Sequence, residues 1–579
     1  MGILRLFSFL SRRYNDIIFG YKKPYYKDRS SNRIVKDEKI KNDYNPECEI
    51  VLIDLNAIFH PCCQKVFEYG SGSEKKSLLL SNKKKALSYE ELEVIAFNTI
   101  CNKIDELIRV ANPSKAVYLA IDGVPGLCKQ AQQRQRRFRS VASKNTDSEL
   151  GASSTPPLAG FDPNCITTGT KFMGRLCNHI YSFIKKKKRF EWNKLKIVYN
   201  SMFVPGEGEH KLIRYLETAN FQNICIMSPD ADLIMLSLTL LATTIASPNP
   251  KNVTILRENV FQHIEGDYLF VDINTLKKNL IIDLMCMSMD HVFNEDLIIR
   301  DFVFFSFLIG NDFLPGVGSL EIPNKGIDIL FKMYVDTWMS HGYLIRDVAK
   351  KFYINKDAFV QLLKNIASLE VKMLLDKAER GYAKYPDKVL NRHLVRDKDG
   401  LNIPFESYKK DFYMTKFDFT EDEMKFGAVE SVCNEYILGM FFVLRYYFKG
   451  IPDFGWYYPY HYAPFFSDLA KAAEKFDFQN VVFQIRRPLT MYESLVGIMP
   501  PSSFHLLPVS VKEHVEKKIT LDLDFLEEFD IDLDGKINDY EAILLLPFLS
   551  YDKIKALTMD MKLTEEEEKE CRIGNIYVF

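Results

Sequence analysis

The chain is predicted to be an α/β protein: a mostly parallel central sheet flanked by helices, with a second, helix-rich region packed around it. Three observations predict this. Apolar segments that end on acidic residues recur as IVLID (Ile50–Asp54), VYLAID (Val117–Asp122), ICIMSPDAD (Ile224–Asp232) and FLIGND (Phe307–Asp312). Between about residues 49 and 313 such segments alternate with helical stretches, the pattern of buried parallel strands. From about Ala349 the alternation stops, and long apolar runs such as Ala428–Phe448 predict buried helices.

Taken in order, the opening MGILRLFSFLSRRY predicts an amphipathic helix packed on the body. An early Arg5, no long apolar core and no small-residue cleavage site argue against a targeting leader. Leu6 stands where a myristoylation signal needs Ser or Thr. The polar stretch 70–85 predicts a flexible loop, followed by a capping box at Ser88 and Glu91. A second loop is predicted over Asn145–Gly160, with Gly151, Pro156 and Pro157. A boundary near 335–350 gives an α/β region over 1–345, a helical connector over 346–425 and a second region over 426–579. With 579 residues the chain is long enough for two or more folding units.

Composition narrows the function classes. The content is 47% hydrophobic and 26% charged, that of an ordinary globular chain. No run of about 18 apolar residues predicts a membrane helix. The 11 cysteines include no CxxC pair and no regular spacing with histidine, which argues for a reducing compartment and against zinc. Net charge is −1, so any affinity for nucleic acid must come from a local patch.

The candidate chemistry lies in seven carboxylates: Asp54, Asp122, Glu207, Glu209, Asp230, Asp232 and Asp312. Asp54, Asp122 and Asp312 each follow an apolar segment read as a strand. Asp230 and Asp232 are two apart, as on one side of a strand end. Glu207 and Glu209 sit among glycines in VPGEGE. Any one acid is best explained as a helix cap. Seven together are costly unless hard divalent cations neutralise them, and two such ions make a phosphodiester-cleaving centre. A basic run, KQAQQRQRRFR, comes shortly after Asp122, and in it Lys129, Gln133, Arg136 and Arg137 share one helix face. Its default reading is a solvated face; its place just after Asp122 favours a phosphate site instead.

These residues carry a resemblance. DLNAIFH, AIDGVPGLCKQAQQRQRRFR, FDPNCITTGTKFM, VPGEGEHK, SPDADLI and LIGNDFLP, and later WYYPYHYAP, LVGIMPPSSFHLLP and DIDLDGKINDYEAILLLPFL, are similar in order to the XRN family of 5′→3′ exoribonucleases. The resemblance implies a core like that of PIN and flap nucleases. It implies the seven acids as catalytic metal ligands for two Mg²⁺, with Mn²⁺ able to substitute. Lys129, Gln133, Arg136 and Arg137 match the family's 5′-monophosphate pocket, His60 its base-stacking histidine, and Trp456 an aromatic of the strand track. The implied partner is single-stranded RNA with a 5′-monophosphate, degraded to mononucleotides in mRNA decay by a monomer, in the cytoplasm or alternatively the nucleus. Three departures are visible: Thr168 for the proline of ITPGT, Lys171 where some relatives carry an acid, and Ala57 for a glycine. Gly151 and its prolines predict a short version of the family's projecting basic helix. The chain ends where the second shared region ends, as expected of a compact member of viral or divergent eukaryotic origin without the added domains of large cytoplasmic members.

Two other functions compete: a structure-specific flap endonuclease on DNA, which would share the acids, and a catalytically silent RNA-binding scaffold. Lesser features have plain explanations. Asp530–Glu541 matches an EF-hand loop, but a single copy with a short entering segment predicts a structural element instead of a Ca²⁺ site. Lys185–Arg189 could serve as a nuclear signal; a solvated helix end is the better reading. Without the resemblance, His60 and Trp456 would be read as core residues.

Overall fold

A computed structural model describes residues 2–27, 34–70, 87–145, 157–243, 251–288, 291, 293–348, 351–381, 383–398, 400–519, 523–525 and 528–579. The central sheet has eight strands: β1 (Ile18–Tyr21), β2 (Ile50–Asp54), β3 (Ala116–Ala120), β4 (Lys196–Asn200), β5 (Asn223–Met227), β6 (Asn252–Glu258), β7 (Tyr268–Asp272) and β8 (Tyr577–Val578). Their order is β1-β7-β6-β5-β2-β3-β4-β8. The five central strands, β6 to β4, run parallel. The outer pairings are antiparallel. The sheet is therefore mostly parallel, as the apolar segments predict.

The strands are continuously apolar because both faces are covered. On β2, Ile50 and Leu52 enter one core layer and Val51 and Ile53 the other, all without solvent exposure. The first layer is completed by residues up to Phe483, the second by residues between Leu489 and Leu557. Both layers thus join the α/β region to the helix-rich second region. The opening helix forms over Leu6–Arg13 and buries Leu6 and Leu10. The capping box at Ser88 and Glu91 starts a helix over Tyr89–Ala111. The predicted buried helix spans Ala428–Lys449. Among the described residues, no helix is long and apolar enough to cross a membrane.

One strand expectation is corrected. FLIGND is not a strand end: Phe307–Ile309 is a 3-10 turn continuing the helix Glu295–Ser306. A short apolar run cannot separate strand from buried helix, and here the preceding helix decides. SPDADLI is corrected likewise. Asp230 lies in a turn and Asp232 opens the helix Asp232–Thr243, so strand alternation does not align them. The loop predicted over 70–85 lies outside the described residues beyond Gly70. The second loop does so over 146–156, and with it the predicted shortness of the basic helix.

Four acids of the EF-hand-like loop, Asp532, Asp534, Asp539 and Glu541, are ion-paired. Lys416 reaches Asp532 (2.6 Å) and Asp534 (2.8 Å), Lys384 reaches Asp539 (2.6 Å), and Arg5 reaches Glu541 (2.5 Å). The loop holds the opening segment, the 384–416 segment and the basic helix together, the last through Arg139 donating to the Tyr540 carbonyl (2.8 Å). A Ca²⁺ titration is expected to be identical for wild type and Asp534→Asn, because cationic side chains already occupy this carboxylate set; a saturable signal lost in the variant would contradict it. The 185–189 run ends the helix Lys171–Phe190. Its Lys187 pairs with Asp105 (3.0 Å) and Glu191 (2.6 Å).

Candidate active site

All seven predicted acids converge at the C-terminal edge of the parallel strands, where the strand order reverses about β2. Asp54 ends β2 and Asp122 follows β3. Glu207 is the N-cap of the helix Gly208–Thr218, and Glu209 lies in its first turn. Asp230 and Asp232 follow β5. Asp312 arrives from the turn after the 3-10 segment.

The backbone explains how the carboxylates come so close. The Gly208 N–H donates to Asp122 Oδ1 at 2.6 Å. A Cβ at Gly208 would sit 2.9 Å from Asp54 Oδ1 and 3.2 Å from Asp122 Oδ1, so glycine is what admits both acids. Asn56 ties the pair together. Its N–H donates to Asp54 Oδ1 (3.1 Å), and its side-chain oxygen accepts from the Asp122 N–H (3.0 Å). Gly208→Ala is therefore expected to force the two carboxylates apart and weaken Mn²⁺ binding by about 10–100-fold, the scale of disturbed ligand support. Paramagnetic titration would measure this, with unchanged far-UV circular dichroism as the folding check.

The electrostatics call for cations. Burial and Asp122 raise the Asp54 carboxyl well above its ordinary range. Burial and Glu207 raise Asp122. Burial and then Asp230 push Asp232 up to about 7. Ligand oxygens of Glu209, Asp230 and Asp232 lie within 4.8 Å of one another, a carboxylate set suited to a hard divalent ion. The donor chemistry and the raised acids fit such an ion.

Lys129 is central to this field. Its ammonium lies 2.7 Å from Glu207 Oε2, 2.6 Å from Asp312 Oδ2 and 3.8 Å from Glu209 Oε1. Burial opposes its charge, but Asp312 and Glu207 hold its pKa well above normal. Burial alone would raise Asp312; Lys129 instead holds it below the usual carboxylate range.

Further along the same helix, Leu127–Asn145, the field inverts. Burial and the neighbouring Arg136 push the Arg137 guanidinium down to about 9. Arg137 is oriented by donating Nε (3.0 Å) and Nη2 (2.7 Å) to Thr167 Oγ1 and Nη1 to the Gln133 carbonyl (3.0 Å). Arg136 is exposed, and Gln133 is half-buried. His60 is also solvent-exposed, on the first helix after β2. The protein around it and then Arg137 and Arg136 disfavour protonation of its imidazole. Arg134 faces away from this pocket, donating to the carbonyls of Gly497 (3.1 Å) and Asp524.

Trp456 stands apart from the exposed positions. It is buried, with 7% exposure, and stacks on Phe442 at 4.2 Å, which is the core-packing alternative. Of the departures, Thr168 gains a role: its hydroxyl donates to the Asp122 carbonyl (2.7 Å), a bond proline could not make. Sequence reasoning missed Tyr446, Tyr447 and Gly208. The tyrosines meet the acids only through tertiary packing. Tyr447 Oη donates to Asp232 Oδ1 at 2.8 Å, and Tyr446 Oη donates to Glu207 Oε1.

Fold and site together define an α/β protein that gathers seven carboxylates at the carboxyl edge of a parallel sheet, beside a basic helix face. Comparison places it more closely. Residues 1–259 match the family model "XRN 5'-3' exonuclease N-terminus", and residues 292–404 and 393–579 match "Xrn1 helical domain". The chain belongs to the XRN family. It is 26% identical to 5'-3' exoribonuclease 1 of Schizosaccharomyces pombe over 98% of this chain and 49% of that one. It is 25% identical to 5'-3' exoribonuclease 1 of Homo sapiens, over 98% of this chain and 35% of that one. With the 5'-3' exoribonuclease 2 homolog of Drosophila melanogaster it shares 27% identity over 100% of this chain and 73% of that one. The chain thus spans about half or less of the first two relatives.

Proposed function

We propose that this protein is a Mg²⁺-dependent 5′→3′ exoribonuclease that degrades 5′-monophosphorylated RNA to mononucleotides. The observation that carries the reading is a single helix joining two opposed clusters. Its Lys129 end lies in the acid cluster, where burial and neighbouring carboxylates raise Asp54, Asp122 and Asp232, and its Arg137 end carries a guanidinium whose charge burial and Arg136 disfavour. The first asks for a divalent cation, the second for an anion. A 5′-phosphate beside a scissile phosphodiester supplies the second while lying across the first. Family membership and the names of the relatives support the same reaction.

The chain's own residues divide the work. Gln133, Arg136 and Arg137 bind the terminal phosphate, with Thr167 fixing the Arg137 fork. Lys129 borders both clusters and completes the phosphate site. His60, kept neutral, offers an exposed ring face to the first base, a sequence-tolerant contact suited to stepwise degradation. Trp456 supports the pocket wall through Phe442. Asp54, Asp122, Glu207, Glu209, Asp230, Asp232 and Asp312 would hold two Mg²⁺, with Mn²⁺ as substitute. Bound metal supplies an activated water and stabilisation of the leaving 3′-oxygen.

The test is end-labelled single-stranded RNA bearing either a 5′-monophosphate or a 5′-triphosphate, incubated with Mg²⁺ and wild type or Asp230→Ala. Stepwise 5′-mononucleotides from the monophosphate alone, and none from the variant, are expected. Internal cuts or equal attack on both ends would point to an endonuclease. RNA retained without cleavage would point to a scaffold.

A further inference from the structure

Two neighbouring phenols of the second region end on two different acids of the site. Tyr447 Oη donates to Asp232 Oδ1 at 2.8 Å, and Tyr446 Oη donates to Glu207 Oε1. Both residues belong to the helix Ala428–Lys449 and are buried. Consecutive helix residues point about 100° apart, so one helix can serve both acids only by crossing between them. The rings are clamped: Tyr446 by His210 (4.0 Å, edge-on) and Phe313 (4.5 Å), Tyr447 by Phe307 (4.7 Å). The same helix packs its core with Phe441, Phe442 and Phe448, so filling space does not require a hydroxyl. A buried phenol demands an acceptor, and these two find theirs in carboxylates of the acid cluster.

The consequence is a choice of oxygen. With Oδ1 of Asp232 engaged by Tyr447, Oδ2 is the oxygen left for a cation. With Oε1 of Glu207 engaged by Tyr446, Oε2 is turned toward Lys129, at 2.7 Å. Lone pairs that would otherwise rotate are thereby aimed inward, which is what outer hydrogen bonds do for metal ligands.

We infer that Tyr446 and Tyr447 are positioning residues for the divalent-metal centre: the second region presets the ligand oxygens of Glu207 and Asp232 through their hydroxyls. The inference rests on the metal-centre reading above. Tyr436, on the same helix, provides the comparison, since its buried hydroxyl donates to the Pro315 carbonyl (3.0 Å).

The test uses the full chain and Mn²⁺ as probe, with bound ion measured from loss of the free Mn²⁺ paramagnetic signal. Tyr446→Phe and Tyr447→Phe keep the rings and remove only the hydroxyls. Each is expected to weaken Mn²⁺ binding by about 10–100-fold, while Tyr436→Phe leaves it at the wild-type value. On monophosphorylated RNA, kcat should fall with KM unchanged and recover as Mn²⁺ is raised, a rescue that a purely structural loss would not show. If one variant misfolds, the other decides; the Mn²⁺-induced rise in wild-type unfolding temperature should likewise shrink in whichever folds. Mn²⁺ affinity within about twofold of wild type in a folded Tyr→Phe variant overturns the inference and leaves the metal centre standing. Equal Mn²⁺ binding by wild type and Asp230→Asn overturns the metal centre, and the inference falls with it.

Discussion

Asp232→Asn is expected to lower RNA hydrolysis by about 10³-fold or more while making the metal-free protein more stable. Loss of a ligand removes more than the 10–100-fold attached to its outer support. The stability effect comes from the raised carboxyl. Burial and then Asp230 push Asp232 up to about 7, against about 3.9 in an unfolded chain. Between these values the folded state holds a proton that the unfolded state has released, so stability falls as pH rises from about 4 to about 7. Asparagine carries no such penalty and can still accept from Tyr447. At pH 8, with chelator, denaturant unfolding should show the variant more stable by on the order of 2 kcal/mol, and near pH 4 the difference should vanish. A variant less stable than wild type at pH 8 would mean that the acids are not in conflict.

Arg137→Ala is expected to cost about 10²–10⁴-fold in kcat/KM on 5′-monophosphorylated RNA. On 5′-hydroxyl RNA it should change little, so the preference between the two ends collapses. The range comes from losing two charge-assisted hydrogen bonds at about 1.5–3 kcal/mol each. Thr167 holds the guanidinium in place, so Thr167→Val should give the same collapse in weaker form. Parallel initial rates on the two RNAs measure it. An equal loss on both ends would assign Arg137 to the strand in general and not to its terminal phosphate.

How far the sequence carried these conclusions differs residue by residue. The parallel strands were legible because IVLID and its counterparts are covered on both faces and so lack any alternating polar residue. The acids were legible as a set, but not the geometry that unites them. Asp232 belongs to a helix start and Asp312 to a turn after a helix, so the fold brings the predicted residues together for a reason that is partly not the strand-end argument. Lys129 read as one more member of a basic face, whereas its neighbours in space place its charge among carboxylates. Tyr446 and Tyr447 carried no signal, because RYYFK inside a buried helix looks like ordinary core, and only tertiary packing shows where a hydroxyl ends. Asn56 and Gly208 lay inside quoted motifs, yet their work, one tying two acids and the other yielding space to them, depends on contacts that spacing does not express. The EF-hand pattern, read as a structural element, has four of its acids ion-paired to Lys416, Lys384 and Arg5.

The reach of the helix Ala428–Lys449 into the acid cluster bears on how the protein is made. A nascent chain that has emerged through Asp312 already carries every acid of the site, but the phenols that meet Glu207 and Asp232 are still unsynthesised. Until they arrive, the sheet lacks the parts of both core layers that come from further along the chain. Order of synthesis thus places all seven acids ahead of the two phenols that meet Glu207 and Asp232 in the folded chain.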